Sequence, residues 1–396
     1  MAALLSIEDA LASVLARVEP LEAEDVPLAE AAGRVLAEPA PAAVDLPPFP
    51  SSAMDGFAVR AADLPGELPV TARVAAGRPV ERPLAGGEAF AISTGGVVPD
   101  GADAVVPVED VEQAGDTIRI TATVAKGDNV RPRGGDVAAG EVVVHAGVRL
   151  RPAQIGALAA AGVAAVRCAR RPRAAVLATG TELRAPGSTL GPGEIYESNT
   201  FSLAAQLEDA GALVDRLPDV EDDEVATRAA LARGLEFDVL VTSGGVSVGP
   251  HDLVRRALAE LGVEEVFWRV AVKPGKPIAF GVRARTLVFG LPGNPVSSLV
   301  GFELFVRPAL LALQGVADPR PPFRPAVLAS PVRRGAGRDE LLRARSRVDG
   351  GTVLVEPVGG QASHMIVRAA EADCLVLVPR GDGELPAGAS VGCLAL

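Results

Sequence analysis

Between residues 171 and 313 short apolar runs alternate with segments of helix length. The runs are AAVLAT (174–179), ALVDR (212–216), FDVLVT (237–242) and TLVFG (286–290). Between them, one helix is expected from Asn199, read as its cap, through Gln206 to a stop at Gly211. A second starts at Asp222 and ends near Gly234, a third covers 252–261, and Pro295 opens a last one. Strands separated by helices pair in parallel, and a parallel sheet has to be covered on both faces. Such a sheet binds its ligands beyond the carboxyl ends of its strands.

Three of those ends carry distinctive turns. AAVLAT runs into GTEL, with Thr179, Gly180 and Glu182. FDVLVT runs into SGGVSVGPHD, and TLVFG into LPGNPVSS, with Pro292, Gly293, Asn294 and Pro295. Gly244, Gly245 and Gly249 let the backbone come close to a ligand. The hydroxyls of Ser243 and Ser247, with backbone N–H groups, suit phosphate oxygens at a helix N-terminus. The same residues also serve plain turns, and that reading stands beside the functional one. In KPGKP (273–277), Lys273 and Lys276 stand between prolines that stiffen the loop, which fits a phosphate or oxyanion as well as a solvated turn. Asp222 and Asp252 start helices, where aspartate is also an ordinary N-cap. Glu182 sits in a turn with no helix to cap. Loop carboxylates gathered near phosphates suit Mg²⁺, which takes oxygen ligands and keeps waters.

The flanking sequence reads differently. Ser6 is expected to cap a helix whose Ile7, Leu11, Val14, Leu15 and Val18 share one face. Residues 39–50 are proline-rich and extended, and 51–140 hold short β-like runs broken by Gly and Pro. LRPAQIGALAAAGVAAV (150–166) reads as a helix turning back toward a strand, and short strands return from 322 onward. In the β-rich stretch, Asp55 lies in SAMDGFAV, Thr94 precedes Gly95 and Gly96, and Arg131, Arg133 and Asp136 share a Pro/Gly loop. Each of these is a turn or a functional arm. The expected fold is multidomain α/β plus β. It comprises a central doubly wound α/β domain (171–315), a β-rich module (46–139), a discontinuous elongated linker domain (1–45 and 140–170) and a C-terminal β-barrel-like domain (322–396).

Composition narrows the function. The 38 Lys+Arg against 50 Asp+Glu give a net charge of −12, which argues against nucleic acid or an anionic membrane as partner. A local pocket can still oppose that sign for a small anion. Cys168, Cys374 and Cys393 are too few and scattered for a disulfide framework or zinc site. The early Glu8 and Asp9 are unlike a signal peptide, and the apolar run 155–166 is too short to span a bilayer. A cytoplasmic protein is expected. His145, His251 and His364 are dispersed, and no GxSxG, HExxH or Walker A run occurs.

Taken in order, SAMDGFAV, STGGVVPDGADAVV, RPRGGDVAAG, ATGTEL, TSGGVSVGPHD, FWRVAVKPGKP, LPGNPVSS and GGQASHM closely resemble the molybdopterin molybdenumtransferase family, the MoeA and gephyrin E-domain type. The resemblance covers nearly the whole chain. It implies an enzyme of molybdenum cofactor biosynthesis that inserts molybdate into adenylylated molybdopterin, hydrolyses the adenylate and releases AMP, with Mg²⁺ or a similar divalent cation. It also implies four domains and an elongated homodimer whose site lies between the α/β domain of one subunit and parts of the other. Contact with molybdopterin adenylyltransferase and with cofactor-receiving enzymes is a further expectation.

By matching motif, Glu182, Asp222 and Asp252 resemble the acidic residues of the nucleotide and metal region. Lys273 and Lys276 resemble basic residues near phosphate or molybdate, and Pro292 and Pro295 the prolines shaping the molybdate pocket. Asp55, Thr94, Arg131 and Asp136 match positions that approach the partner's site. Ser363 in GGQASHM and Arg338 in GAGRDE match C-terminal-domain positions. The sequence departs from the family pattern at Arg269, where Lys is common, and at Thr181, where Asp often precedes the Glu. Arg269 brings a planar fork in place of a point charge. Two rivals stand beside this reading: an adenylyltransferase built on the same α/β domain, and a non-catalytic pterin-binding or scaffold protein.

Overall fold

A computed structural model describes residues 4–220, 223–245 and 253–396. Its centre is a six-stranded sheet. Four strands, Leu213–Arg216, Arg173–Ala178, Val239–Ser243 and Thr286–Leu291, lie side by side in parallel. Two more, Ala279–Arg283 and Glu264–Trp268, continue the sheet antiparallel. The expected purely parallel sheet is thus corrected at one edge. Those two strands flank the KPGKP loop, which returns the chain as a wide hairpin with no crossover helix. The inner parallel strands are buried along their whole length (Ala174–Ala178 and Val239–Ser243), because helices cover both faces.

The helices also differ in their starts. The first of the domain is Asn199–Asp209, with Ser198 at the N-cap position and no side-chain cap bond, so Asn199 is not the cap. In the second, Glu224–Gly234, Asp223 accepts the Ala226 N–H at 2.7 Å. Capping falls to Asp223, and Asp222 lies outside the described residues. Leu253–Glu260 follows, with its expected start, Asp252, also outside them. Pro295 opens the last helix as expected. It continues through a π-helical turn, Phe302–Val306, to Arg307–Leu313. This stretch is long and apolar enough to cross a bilayer, but 78% of it is buried inside the protein. It packs into the largest core with Phe280, Phe289 and the N-terminal helix Ile7–Leu15. There Ser6 is the cap, accepting the Asp9 N–H.

Around this centre, Ala23–Pro27 pairs with Ala165–Ala169, tying the two distant stretches of the linker together. Arg170 bridges from that ladder to the central sheet, binding Glu22 and both carboxylate oxygens of Asp238. The β-rich module is a curled six-stranded sheet. At the C-terminus, Asp339–Asp349, Thr352–Pro357, Arg324–Leu328, Ser390–Ala395 and Cys374–Val378 close into a five-stranded barrel, the last strand pairing back to the first.

Besides its apolar cores, the β-rich module carries an ion pair whose carboxylate is nearly buried. Glu88 accepts from Arg82 at 2.6 Å, from the Ala85 N–H at 2.8 Å and from the Thr71 hydroxyl. Arg82 also lies over the Phe90 ring. The Arg82 hydrogen bond, then Thr71 and the Ala85 amide, hold the Glu88 carboxyl at about 2, below its ordinary 4.5. A depressed value means that stabilisation is complete above about pH 4.5 and is lost as pH falls toward 2. Glu88→Gln is therefore expected to flatten the acid limb of melting temperature against pH. A variant curve parallel to wild type through that window would show the pair to be inert.

Candidate functional site

The site is built where three strands of the central sheet end. Thr179 follows the first strand, and its N–H bonds to Ser243 O at 3.1 Å. Gly244 and Gly245 follow the second with φ of +92° and +64°, which side chains rarely adopt. A Cβ on Gly244 would stand 2.7 Å from Thr179 O, and one on Gly245 2.3 Å from Val254 Cγ2. Glycine is the residue that both the turn and its neighbours admit. After the third strand, Gly293 passes so near that its Cβ would lie 3.8 Å from Gly244 Cα.

These turns enclose a cavity of about 670 Å³. Of the expected residues, Thr179, Gly180, Glu182, Ser243, Gly244, Gly245, Gly293, Asn294 and Pro295 line it. The missing side chain of Gly180 leaves the space in which the Glu182 carboxylate sits; a Cβ there would be 2.5 Å from Oε2. Ser247 and Gly249, like Asp222 and Asp252, lie outside the described residues. Among the described residues no three of His, Cys, Asp and Glu gather as a metal cage. The donors that the three turns bring to the wall are oxygens: the Glu182 carboxylate, the Thr179 and Ser243 hydroxyls and turn carbonyls. That set fits Mg²⁺, which takes one or two carboxylates and completes its shell from substrate phosphates and water.

Other expected residues stand elsewhere. Lys273 does not line the cavity: its Nζ lies 3.1 Å from both Glu340 oxygens, pairing the KPGKP loop to the barrel. Lys276 is exposed and also absent from the lining. Their loop does lie against the helix that leaves the third turn, since a Cβ on Gly275 would be 3.6 Å from Ser297 O. Pro292 carries the carbonyl that accepts the buried Ser298 hydroxyl. Arg269 takes φ +80° and stacks 3.7 Å from the Trp268 ring. In the β-rich module, Asp55 accepts the Thr94 N–H at 2.8 Å and lines a separate cleft of about 650 Å³. Arg131 and Asp136 are exposed. Arg338 is half-buried just before the first barrel strand.

Several wall residues were not singled out by sequence reasoning. Ile195, Tyr196, Glu197, Asn199, His364 and Ile366 all line the cavity. Glu197 is buried, with Arg216 4.0 Å from its carboxylate. His364 reaches the wall because the barrel loop 359–365 is pinned there. Val296 N–H donates to Ser363 O at 3.1 Å. From behind, the fully buried Arg343 donates to the carbonyls of Met365 (2.6 Å), Gly360 (2.8 Å) and Ala362 (3.2 Å). Burial lowers the Arg343 guanidinium from its ordinary value. One buried arginine within the strand Asp339–Asp349 gives no local signal that it serves a loop some twenty residues onward.

Three sequence-family models match consecutive stretches of the chain. They are the MoeA N-terminal region (domain I and II) over residues 5–162, a probable molybdopterin binding domain over 175–312, and the MoeA C-terminal region (domain IV) over 325–396. Molybdopterin molybdenumtransferase 2 of Mycobacterium tuberculosis is 41% identical over 378 residues, 92% of each chain. Molybdopterin molybdenumtransferase of Haemophilus influenzae is 35% identical over 395 residues, 98% of each. The crystal structure of a molybdopterin biosynthesis MoeA protein from Pyrococcus horikoshii aligns with a TM-score of 0.86 at 29% identity, over 99% of this chain and 100% of that one.

The Arg343 clamp yields a direct expectation. Arg343→Met keeps the length of the side chain but leaves three part-buried carbonyls without their donor. It is expected to cost roughly 2–4 kcal/mol in urea denaturation and to speed hydrogen–deuterium exchange in loop 359–365. An unchanged denaturation midpoint with unchanged exchange in the loop would show that the guanidinium holds nothing.

Proposed function

The chain belongs to the molybdopterin molybdenumtransferase family, enzymes of molybdenum cofactor biosynthesis, and from that premise we propose how its sheet-edge cavity serves the reaction. In this reading adenylylated molybdopterin lies across the three turns and molybdate approaches from the third. The observation that carries it is the meeting of three glycine-bearing turns around one cavity of about 670 Å³. Bare backbone lets N–H groups come close to phosphate oxygens, and such preorganised donors stabilise charge that develops there. The Gly245 N–H and the hydroxyls of Thr179 and Ser243 take this role, the Gly244 N–H being engaged by Leu291 O.

Glu182, with Asp222 and Asp252, would hold Mg²⁺, which when bound neutralises phosphate charge and polarises the bond being cleaved. Lys273 and Lys276 act from the adjoining loop as counter-charges for the oxyanion, with Glu340 keeping Lys273 extended until the anion arrives. Gly293, Asn294 and Pro295 form the floor toward molybdate, supported by the barrel through Ser363. Asp55, Thr94, Arg131 and Asp136 belong to a module that does not line this cavity. They complete the site in a homodimer by reaching the cavity of the second copy. The full-length match to family members, β-rich module and barrel included, favours this enzyme over an adenylyltransferase, for which the α/β domain alone would suffice.

Incubation with adenylylated molybdopterin, Mg²⁺ and molybdate is expected to release AMP and molybdenum cofactor together, and only when molybdate is present. AMP release indifferent to molybdate, or tight binding without turnover, would point to the rivals. Glu182→Gln keeps the shape and removes the charge. It is expected to lower molybdate-dependent AMP release by about a hundredfold, the scale of losing one electrostatic element of a phosphate site, with part of the loss recovered at higher Mg²⁺.

A further inference from the structure

The three turns come from distant parts of the chain, and their spacing needs a cause. Backbone contacts supply part of it: Thr179 N–H to Ser243 O, and Gly244 N–H to Leu291 O. The rest runs through one side chain. Asn199 is buried, with 9% of its surface exposed, and lies at the first turn of the Asn199–Asp209 helix. Its Nδ2 donates to Ser243 Oγ at 2.8 Å and to Gly293 O at 2.7 Å. Those partners are 44 and 94 residues away in sequence. Both amide protons are thus committed to other elements.

Asn199 is free for this because another residue starts the helix. Glu197 accepts the Thr200 N–H at 2.8 Å and its hydroxyl with the second carboxylate oxygen. The helix therefore has its capping acceptor two residues before Asn199. The bond to Ser243 has a chemical consequence. A hydroxyl that accepts from Asn199 keeps its own proton to donate, and Ser243 lines the cavity. The bond to Gly293 fixes the third turn against the second, where their backbones nearly touch. A carboxylate of the same shape has no proton to offer either partner.

Resting on the reading of the cavity as the substrate site, we infer that Asn199 is a positioning residue for the transferase reaction. Its carboxamide holds the second and third turns in register and leaves the Ser243 hydroxyl poised to donate to an anion.

The test compares Asn199→Asp with Glu197→Gln by hydrogen–deuterium exchange on the full chain, alongside steady-state AMP release. Asn199→Asp is expected to speed exchange about tenfold or more in 243–245 and 291–294, far away in sequence. Glu197→Gln is expected to loosen 197–204 and spare those two stretches. In kinetics, KM for the adenylylated substrate is expected to rise about tenfold in Asn199→Asp, and adding Ser243→Ala should cost little more, since both act on one hydroxyl. Faster exchange confined to 197–204, or losses that multiply in the double variant, would overturn the inference. If Asn199→Asp does not fold, Asn199→Ser answers the same exchange question, because its short side chain cannot reach both partners. A wild-type protein without molybdate-dependent AMP release would overturn the functional reading alone, leaving the exchange result to judge the staple.

Discussion

At the edge of the central sheet two backbones meet with no space for a side chain between them. A methyl group on Gly244 would sit 2.7 Å from the carbonyl of Thr179. Much of the site follows from that closeness. The turn takes a left-handed conformation, for which glycine is suited. Its Gly244 N–H is taken up by Leu291 O, which ties the turn to the end of the third strand. The third turn can then come within van der Waals range of the second, and the space left over is a cavity walled by peptide groups. A side chain at Gly244 or Gly245 would push its neighbours aside and turn a cradle into an open edge.

Charge is arranged locally against the global excess of acid. With a net charge of −12, the protein repels anions at long range, so a dianionic substrate is drawn in only by nearby groups. The cations near the cavity are not spread loosely. Lys273 is held across from Glu340, Arg216 lies between Glu197 and the Phe201 ring, and Arg269 is flattened on Trp268. Each is held by a neighbour that limits its rotamers, which lowers the conformational cost of meeting an anion. At Arg269 a planar guanidinium lies on an indole face, a contact whose geometry differs from that of an ammonium.

The sequence made the local features readable. Apolar runs of strand length, glycine at the strand ends, Ser6 as a cap and Pro295 as a helix start are decided within a few residues, and the fold has them. What escaped depended on distance. The antiparallel edge strands were hidden because Glu264–Trp268 and Ala279–Arg283 are joined by a loop that looked like a site. Asn199 was read as a cap because short polar residues before a helix usually are; its true partners lie at the ends of two distant strands. Lys273 was read as a free cation because Glu340 belongs to another domain. Asp222 was preferred to Asp223 as a helix start, a choice between adjacent identical residues that only the backbone path decides.

The C-terminal barrel shows how a cavity at the sheet edge of an α/β domain is completed by a second domain beside it. The sheet edge supplies turns on one side, and a fourth wall has to come from elsewhere. It is provided by loop 359–365, which has few apolar contacts to hold it. Arg343 takes their place. Its guanidinium offers five donors in a fixed fork, and carbonyls of Gly360, Ala362 and Met365 close around it. A buried cation solvated by carbonyls costs desolvation energy, yet it dictates geometry far more tightly than an apolar contact of the same area. The loop so fixed meets the amino end of the Pro295–Gly301 helix through Ser363, and the wall bearing His364 becomes continuous with the third turn. The barrel is thus joined to the cavity by directional bonds, and movement of one domain against the other has to break them.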